Sequence, residues 1–284
     1  MINALKWFFG FVEYDEAEIE GALSPQHIAA VSTYMVVMVG LAILFGILFR
    51  NKEYKIKNRV LIVSAIAIDS FELLKIVIAL VDSDNAWRTL LCNLLPLFLC
   101  SIQLVAIPMA AFCKGRMKEA SIDFVMIFGI LGAIAGTIGA MQNYNAYPVL
   151  AFHNVVSGIT HSISGFASLY IMISGMISLK MKNSWITSII LGGFSISALV
   201  MNIVNGLAFE GMIYNEEMKA AGSNYMFLMH HDGTPYSIFY NMVGGNKVIY
   251  PMIVIGVFFV YAAIFYLVPY IIKKVKENKA KKDA

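Results

Sequence analysis

Residues 26–59 read QHIAAVSTYMVVMVGLAILFGILFRNKEYKIKNR. The first part, Gln26 to Phe49, contains no Asp, Glu, Lys or Arg. It exceeds the ~20 apolar residues that an α-helix needs to cross the hydrocarbon core of a bilayer. The second part is a basic cluster of Arg50, Lys52, Lys55, Lys57 and Arg59. An apolar run closed by cations is the pattern of a membrane helix ending on the cytoplasmic side.

The same pattern recurs in both directions from this stretch. Further apolar runs cover Val60 to Val81, Leu90 to Phe112, Ile122 to Met141, Val149 to Leu179, Trp185 to Phe209 and Val248 to Ile272. Cations gather in alternate connections: Lys114, Arg116 and Lys118, then Lys180 and Lys182, then Lys273, Lys274, Lys276, Lys279, Lys281 and Lys282. With the first cluster these make 16 of the chain's 21 basic residues. The other connections hold only Lys6, Arg88, Lys219 and Lys247, and Lys75 lies within a run. The positive-inside bias therefore predicts an all-α bundle of seven transmembrane helices, N-terminus outside and C-terminus cytoplasmic. The runs are continuous rather than alternating, which excludes β-barrel strands.

Composition agrees with this class. The 284 residues are 59% hydrophobic and only 14% charged, against about 25% charged for an ordinary soluble domain. The expected organisation is an outer interfacial segment 1–25, a membrane domain 26–272 with an outer loop 210–246, and a basic tail 273–284. Trp7, Phe8, Phe9 and Phe11 suit the lipid boundary. The start lacks the small-residue cleavage site of a signal peptide. The expected location is the cell membrane and the expected partners are membrane lipids. Nothing in the charge pattern indicates nucleic acid, and no cofactor is expected.

Polar residues within membrane segments are costly and normally face the bundle interior. The third run carries Asn93, Pro96, Cys100 and Gln103 at offsets of three and four, one face of a continuous helix. The fifth carries Asn154, Ser157, His161, Ser164 and Ser168 at the same spacing, and the sixth Ser188, Ser195, Asn202 and Asn205. Asp69, Glu72 and Lys75 lie three apart on the second. Counted from the outer end of each helix, Cys100 and His161 fall at roughly the same depth, 18–20 Å in. A thiol and an imidazole on two inward faces form a candidate nucleophile–base pair. The competing reading is that Cys100 is a small apolar filler and His161 a packing hydrogen-bonder. Glu72 and Lys75 read as a neutralised pair or as a clamp for a polar group.

Other motifs carry less chemistry. Cys92, Cys100 and Cys113 fall on one expected helix, too far apart to bridge. Gly132 and Gly136 are four apart and suit close helix packing. His230, His231 and Asp232 lack standard ligand spacing, and Asp232-Gly233 suits a turn, so no metal site is expected. The last run has no internal Lys for a retinal Schiff base, and the third ends in Phe112-Cys113-Lys114 without the acidic-arginine pair of a G-protein-coupled receptor.

Several motifs together resemble a family. Asn224-Tyr225-Met226-Phe227-Leu228 is similar to a signature of the YwaF-type bacterial integral membrane proteins. Leu95-Pro96-Leu97-Phe98-Leu99-Cys100 resembles the family's Leu-Pro-Leu-His-Leu-Cys, with Phe98 in place of the motif His. His27 after Ser24-Pro25, the Glu72 and Lys75 pair, His161 and Asn205 also match family positions. The likeness runs from about His27 to Tyr266. This family looks related to an animal transmembrane acyltransferase that remodels ether phospholipids with a Cys and a His. The resemblance implies acyl transfer or ester hydrolysis on a lipid, with His161 as base, and the polar stripe of the third run offers Cys100 as nucleophile. Asn93, Gln103 or Asn154 would then donate to the oxyanion, and Asp69, Glu72, Lys75 and Asn205 would line the substrate pocket. The alternative is a non-enzymatic binding or transport protein with a polar intramembrane pocket.

Overall fold

The computed structural model describes residues 2–139, 141–208, 223–231 and 234–282. These residues form helices and contain no strand. Helix α1 spans Ile2–Phe9, and its Phe8 and Phe9 rings meet Phe152. Helix α2, Pro25–Phe49, begins where Ser24 Oγ accepts the His27 N–H at 3.1 Å and Pro25 fills the first turn. The proline costs nothing there because its missing N–H would have had no helical partner. Helix α3, Tyr54–Val81, follows a tight connection.

The third apolar run departs from expectation. A continuous helix over Leu90 to Phe112 is predicted by its composition, yet the chain forms a short α4, Ala86–Thr89, and a π turn, Leu90–Leu94. It then unwinds through residues 95–102 before α5, Gln103–Phe112. Pro96 is the cause. It has no N–H to donate, and its ring drives the preceding residue out of the helical region. Leu95 accordingly has φ −67° and ψ 142°. Asn93, Cys100 and Gln103 therefore do not share a helical face, and the depth count from Arg88 to Cys100 does not apply.

Helix α6 spans Gly115–Thr137 and the short α7 Met141–Ala146. Helix α8, Phe152–Ser174, stops at Gly175, whose φ of 75° closes the C-terminus in the left-handed conformation that glycine tolerates. Helix α9 spans Met181–Ala208, α10 Ser237–Met242 and α11 Ile249–Lys282. Five stretches are long and apolar enough to cross a membrane: Pro25–Phe49, Gly115–Ala146, Phe152–Ser174, Met181–Ala208 and Ile249–Lys279. The second and third of the expected seven spans are not among them. Helix α3 has 28 residues but carries Asp69, Glu72 and Lys75 in its apolar half, and the third run is broken.

Helix α8 is the centre of the bundle and packs on α6, α2 and α3. Small residues bring α2 close. A Cβ on Gly158 would strike the Tyr34 ring, and one on Gly165 would strike Met38. Across α6 and α8, Ser164 Oγ donates to the Gly129 carbonyl at 3.2 Å and Ser168 Oγ to the Met126 carbonyl at 2.7 Å. The main core holds Phe124 and Phe128 of α6, Ile107 of α5 and Tyr170 of α8. Near the basic ends, fully buried Asp123 accepts the N–H groups of Ser178 and Leu179 at 3.2 and 2.9 Å. It also accepts the Tyr266 hydroxyl at 3.2 Å. The α8–α9 connection is thus tied to α6 and α11 by one carboxylate.

Residues 210–222 and 232–233 of the expected outer loop lie outside the described residues, and with them Asp232. The described part folds back into the bundle, where Tyr225, Met226 and Leu228 join the main core.

Candidate functional site

The break in the third run leaves backbone groups without helical partners, and unsatisfied groups are not tolerated in hydrocarbon. Side chains from two other elements supply the partners. The Tyr225 hydroxyl donates to the Leu91 carbonyl at 2.9 Å and accepts the Leu95 N–H at 3.3 Å, bridging the gap. Asn205 Nδ2 donates to the same carbonyl at 2.6 Å and to Ser223 Oγ at 2.9 Å. Asn202 in turn holds Tyr225 by both backbone groups, accepting its N–H at 2.8 Å and donating to its carbonyl at 3.0 Å. Phe98 packs on Tyr225 and Phe227, with ring centroids 5.1 and 5.8 Å apart. The phenyl ring therefore belongs to the brace behind the break.

This brace holds Cys100 in the unwound stretch, facing a cleft between three elements. Ile68, Glu72 and Lys75 from α3, Cys100, Ser101 and Leu104 from the broken run, and Thr160 and His161 from α8 line it. Its volume is about 30 Å³. Cys100 and His161 both line this cleft, and the thiol's aligned polar partner is Ser101 Oγ at 4.0 Å. A loose nucleophile–base contact is common before substrate binds.

The imidazole is oriented from behind. Its Nδ1 lies 2.6 Å from the Ser157 carbonyl, which can only accept, so Nδ1 carries the proton. In the neutral ring Nε2 is then the free base. The same carbonyl accepts the Thr160 hydroxyl at 3.1 Å, which anchors the adjacent turn. Glu72 and Lys75 pair at 2.6 Å within the cleft lining. Lys75 thus places a cation in the same cleft lining as Cys100 and His161.

The remaining sequence-derived candidates are distributed elsewhere. Asp69 is exposed on the outer surface of α3, and Asn93 is exposed in the π turn. Asn154 donates to the carbonyls of Asn143, Tyr147 and Pro148 and so fastens the connection before α8. Asn205 is committed to the break. Gln103 is fully buried, and neither end of its amide has a hydrogen-bond partner among the described residues. Ser101, Thr160 and the bracing hydroxyl of Tyr225 escaped the polar-stripe reading. Thr160 was signalled only by adjacency to His161, and Tyr225 only by the motif that contains it.

Among the described residues no group of three His, Cys, Asp or Glu side chains is placed to hold a metal ion, and His230 and His231 stack on each other with centroids 4.5 Å apart. All three cysteines are free. Cys92 sits in the π turn, Cys100 in the unwound stretch and Cys113 after α5, rather than on one helix.

No curated protein and no solved structure matches the chain. The TMEM164 family model, in contrast, matches residues 22–270, from the cap of α2 into the last helix. A match over that much of the chain makes this protein a member of the TMEM164 family.

Proposed function

We propose that this protein is a membrane enzyme of lipid acyl chemistry, an acyltransferase or lipid-ester hydrolase, with Cys100 as nucleophile and His161 as base. In this reading the chain crosses the cell membrane seven times, the broken run and α3 included, with the N-terminus outside and the basic tail cytoplasmic. The observation that carries the proposal is the convergence of Cys100 and His161. They come from separate elements, yet line one cleft, and the Ser157 carbonyl holds the proton on Nδ1, which leaves Nε2 as the base.

The chemistry balances with these two groups. His161 Nε2 takes the thiol proton as Sγ bonds to the ester carbonyl carbon of a lipid. The oxyanion collapses, the C–O bond breaks, and His161 returns the proton to the leaving alkoxide. A thioester on Cys100 remains. A second lipid hydroxyl, or water, then loses its proton to His161 and attacks that carbonyl, the thiolate leaves, and His161 returns the proton to it. Gln103 is our candidate donor to the oxyanion. A buried amide without a partner is costly, and this one lies one turn beyond the nucleophile.

Incubation with lipid esters should give an acyl adduct on Cys100 that hydroxylamine removes, read by peptide mass spectrometry. The adduct should vanish in Cys100→Ser and in His161→Ala. An unmodified Cys100 with every lipid class would favour the second reading, a binding or transport protein. The Glu72–Lys75 pair in the cleft and the broken helix, a device of transporters, support that alternative.

A further inference from the structure

Helix α6 contributes no polar side chain to the cleft, yet its glycines lie directly behind it. A Cβ built on Gly136 would coincide with the His161 ring, overlapping Cδ2 and Nε2 and lying 2.6 Å from Cε1. Non-bonded carbons require about 3.5 Å. The imidazole therefore occupies the volume that any other side chain would fill. One turn earlier, a Cβ on Gly132 would lie 3.2 Å from Cys100 Cα and 3.5 Å from its Cβ. The two positions are about 6 Å apart along the helix.

Gly132 and Gly136 meet the two residues of the candidate pair, whereas Gly158 and Gly165 meet the packing side chains Tyr34 and Met38. Gly129 meets the Ser164 carbonyl and Ser168 of α8, as an interhelical packing glycine does, with both contacts at 2.9 Å. Gly193 and Gly256 meet nothing within 4 Å. Gly136 is the penultimate residue of α6, and the three atoms nearest its Cβ position all belong to the His161 ring. We propose that Gly136 is a positioning residue that seats the His161 imidazole against Cys100, with Gly132 as the matching seat for the Cys100 backbone. This rests on reading Cys100 and His161 as a nucleophile–base pair.

The atoms that Gly136→Ala would displace are the tip of a rotatable side chain. The chain should accommodate the methyl group by swinging the ring away, leaving the fold intact. Gly132→Ala meets backbone and requires a shift of a few tenths of an ångström, so its effect on reactivity should be smaller.

The test is the pH profile of Cys100 alkylation by a small membrane-permeant reagent, on the full chain in nanodiscs, followed by mass spectrometry. Wild type should alkylate about 10-fold faster at neutral pH than His161→Ala, because a paired imidazole raises the thiolate fraction. Gly136→Ala should reproduce the His161→Ala profile with unchanged helicity and melting temperature. The double variant Gly136→Ala/His161→Ala should lose nothing further. A wild-type profile in Gly136→Ala would overturn the seat while leaving the pair. Identical profiles in wild type and His161→Ala would overturn the pair, and the seat with it. If Gly136→Ala fails to fold, the double variant decides. Its folding would show that the ring alone fills the space, and its failure would refute the proposal.

Discussion

Helices α6 and α8 keep their backbone bonds to themselves and use small side chains to approach each other. The stretch from Leu90 to Ile102 gives up helical bonds and borrows partners from α9 and from residues 223–228. The first arrangement is redundant, since many contacts along two long helices share the stability and no single one dominates. The second is concentrated. The Tyr225 hydroxyl serves both sides of the break, and the Leu91 carbonyl receives two donors. The candidate site lies on the seam between them, with Cys100 from the irregular element and His161 from the regular one. A reactive thiol is thereby freed from the helical spiral while its base stays fixed.

This contrast is testable by paired substitutions, each read as thermal or denaturant stability of the purified protein in one detergent. Tyr225→Ala removes a fully buried ring and both bridging bonds, and should cost about 4 kcal/mol. A loss under 1 kcal/mol would mean that the break is self-supporting. Tyr225→Phe keeps the ring and strands the Leu95 N–H, while the Leu91 carbonyl keeps its Asn205 donor, so about 2 kcal/mol is expected. It should also lower Cys100 reactivity, which a stability loss in α6 or α8 of equal size would not. Gly129→Ala forces a methyl group against a carbonyl of α8 and should cost about 1–2 kcal/mol. Ser168→Ala deletes one interhelical bond and should cost only about 0.6 kcal/mol. A larger effect from Ser168→Ala than from Tyr225→Phe would overturn the distinction between shared and concentrated stability. Smallest of all is Glu277→Ala on the exposed tail, whose partner Lys273 lies 3.8 Å away. A change below about 0.5 kcal/mol is expected, as for any solvated ion pair.

Much of the fold was legible because bilayers impose a simple rule. Apolar runs of sufficient length mark helices, and most of those drawn here contain one. The rule fails where composition and backbone geometry disagree. Leu90 to Phe112 is apolar enough for a span, but Pro96 removes a donor and turns Leu95 extended. Hydropathy does not register a missing N–H. The same limit misplaced several polar residues. Asn93 and Cys100 match one face only if the helix is continuous. Asn154 and Asn205 look like ligand-binding amides in sequence, whereas the amide nitrogen of each donates to main-chain carbonyls at an irregular joint. Phe98 could be read only as a lost histidine until its packing on Tyr225 and Phe227 gave it a place.

By itself, the sequence determined the membrane class, the helical content and the short list from which the cleft is drawn, because these follow from transfer energies and local periodicity. The tertiary structure alone decided that the third run breaks at Pro96, that Tyr225 and Asn205 repair the break, and that Glu72, Lys75, Cys100 and His161 share a cleft while Asp69 turns outward. It alone revealed the imidazole lying where a Cβ of residue 136 would be. Helix rotation and the partners of freed backbone groups depend on contacts between residues far apart in the chain. Neither local composition nor spacing encodes which of those contacts form.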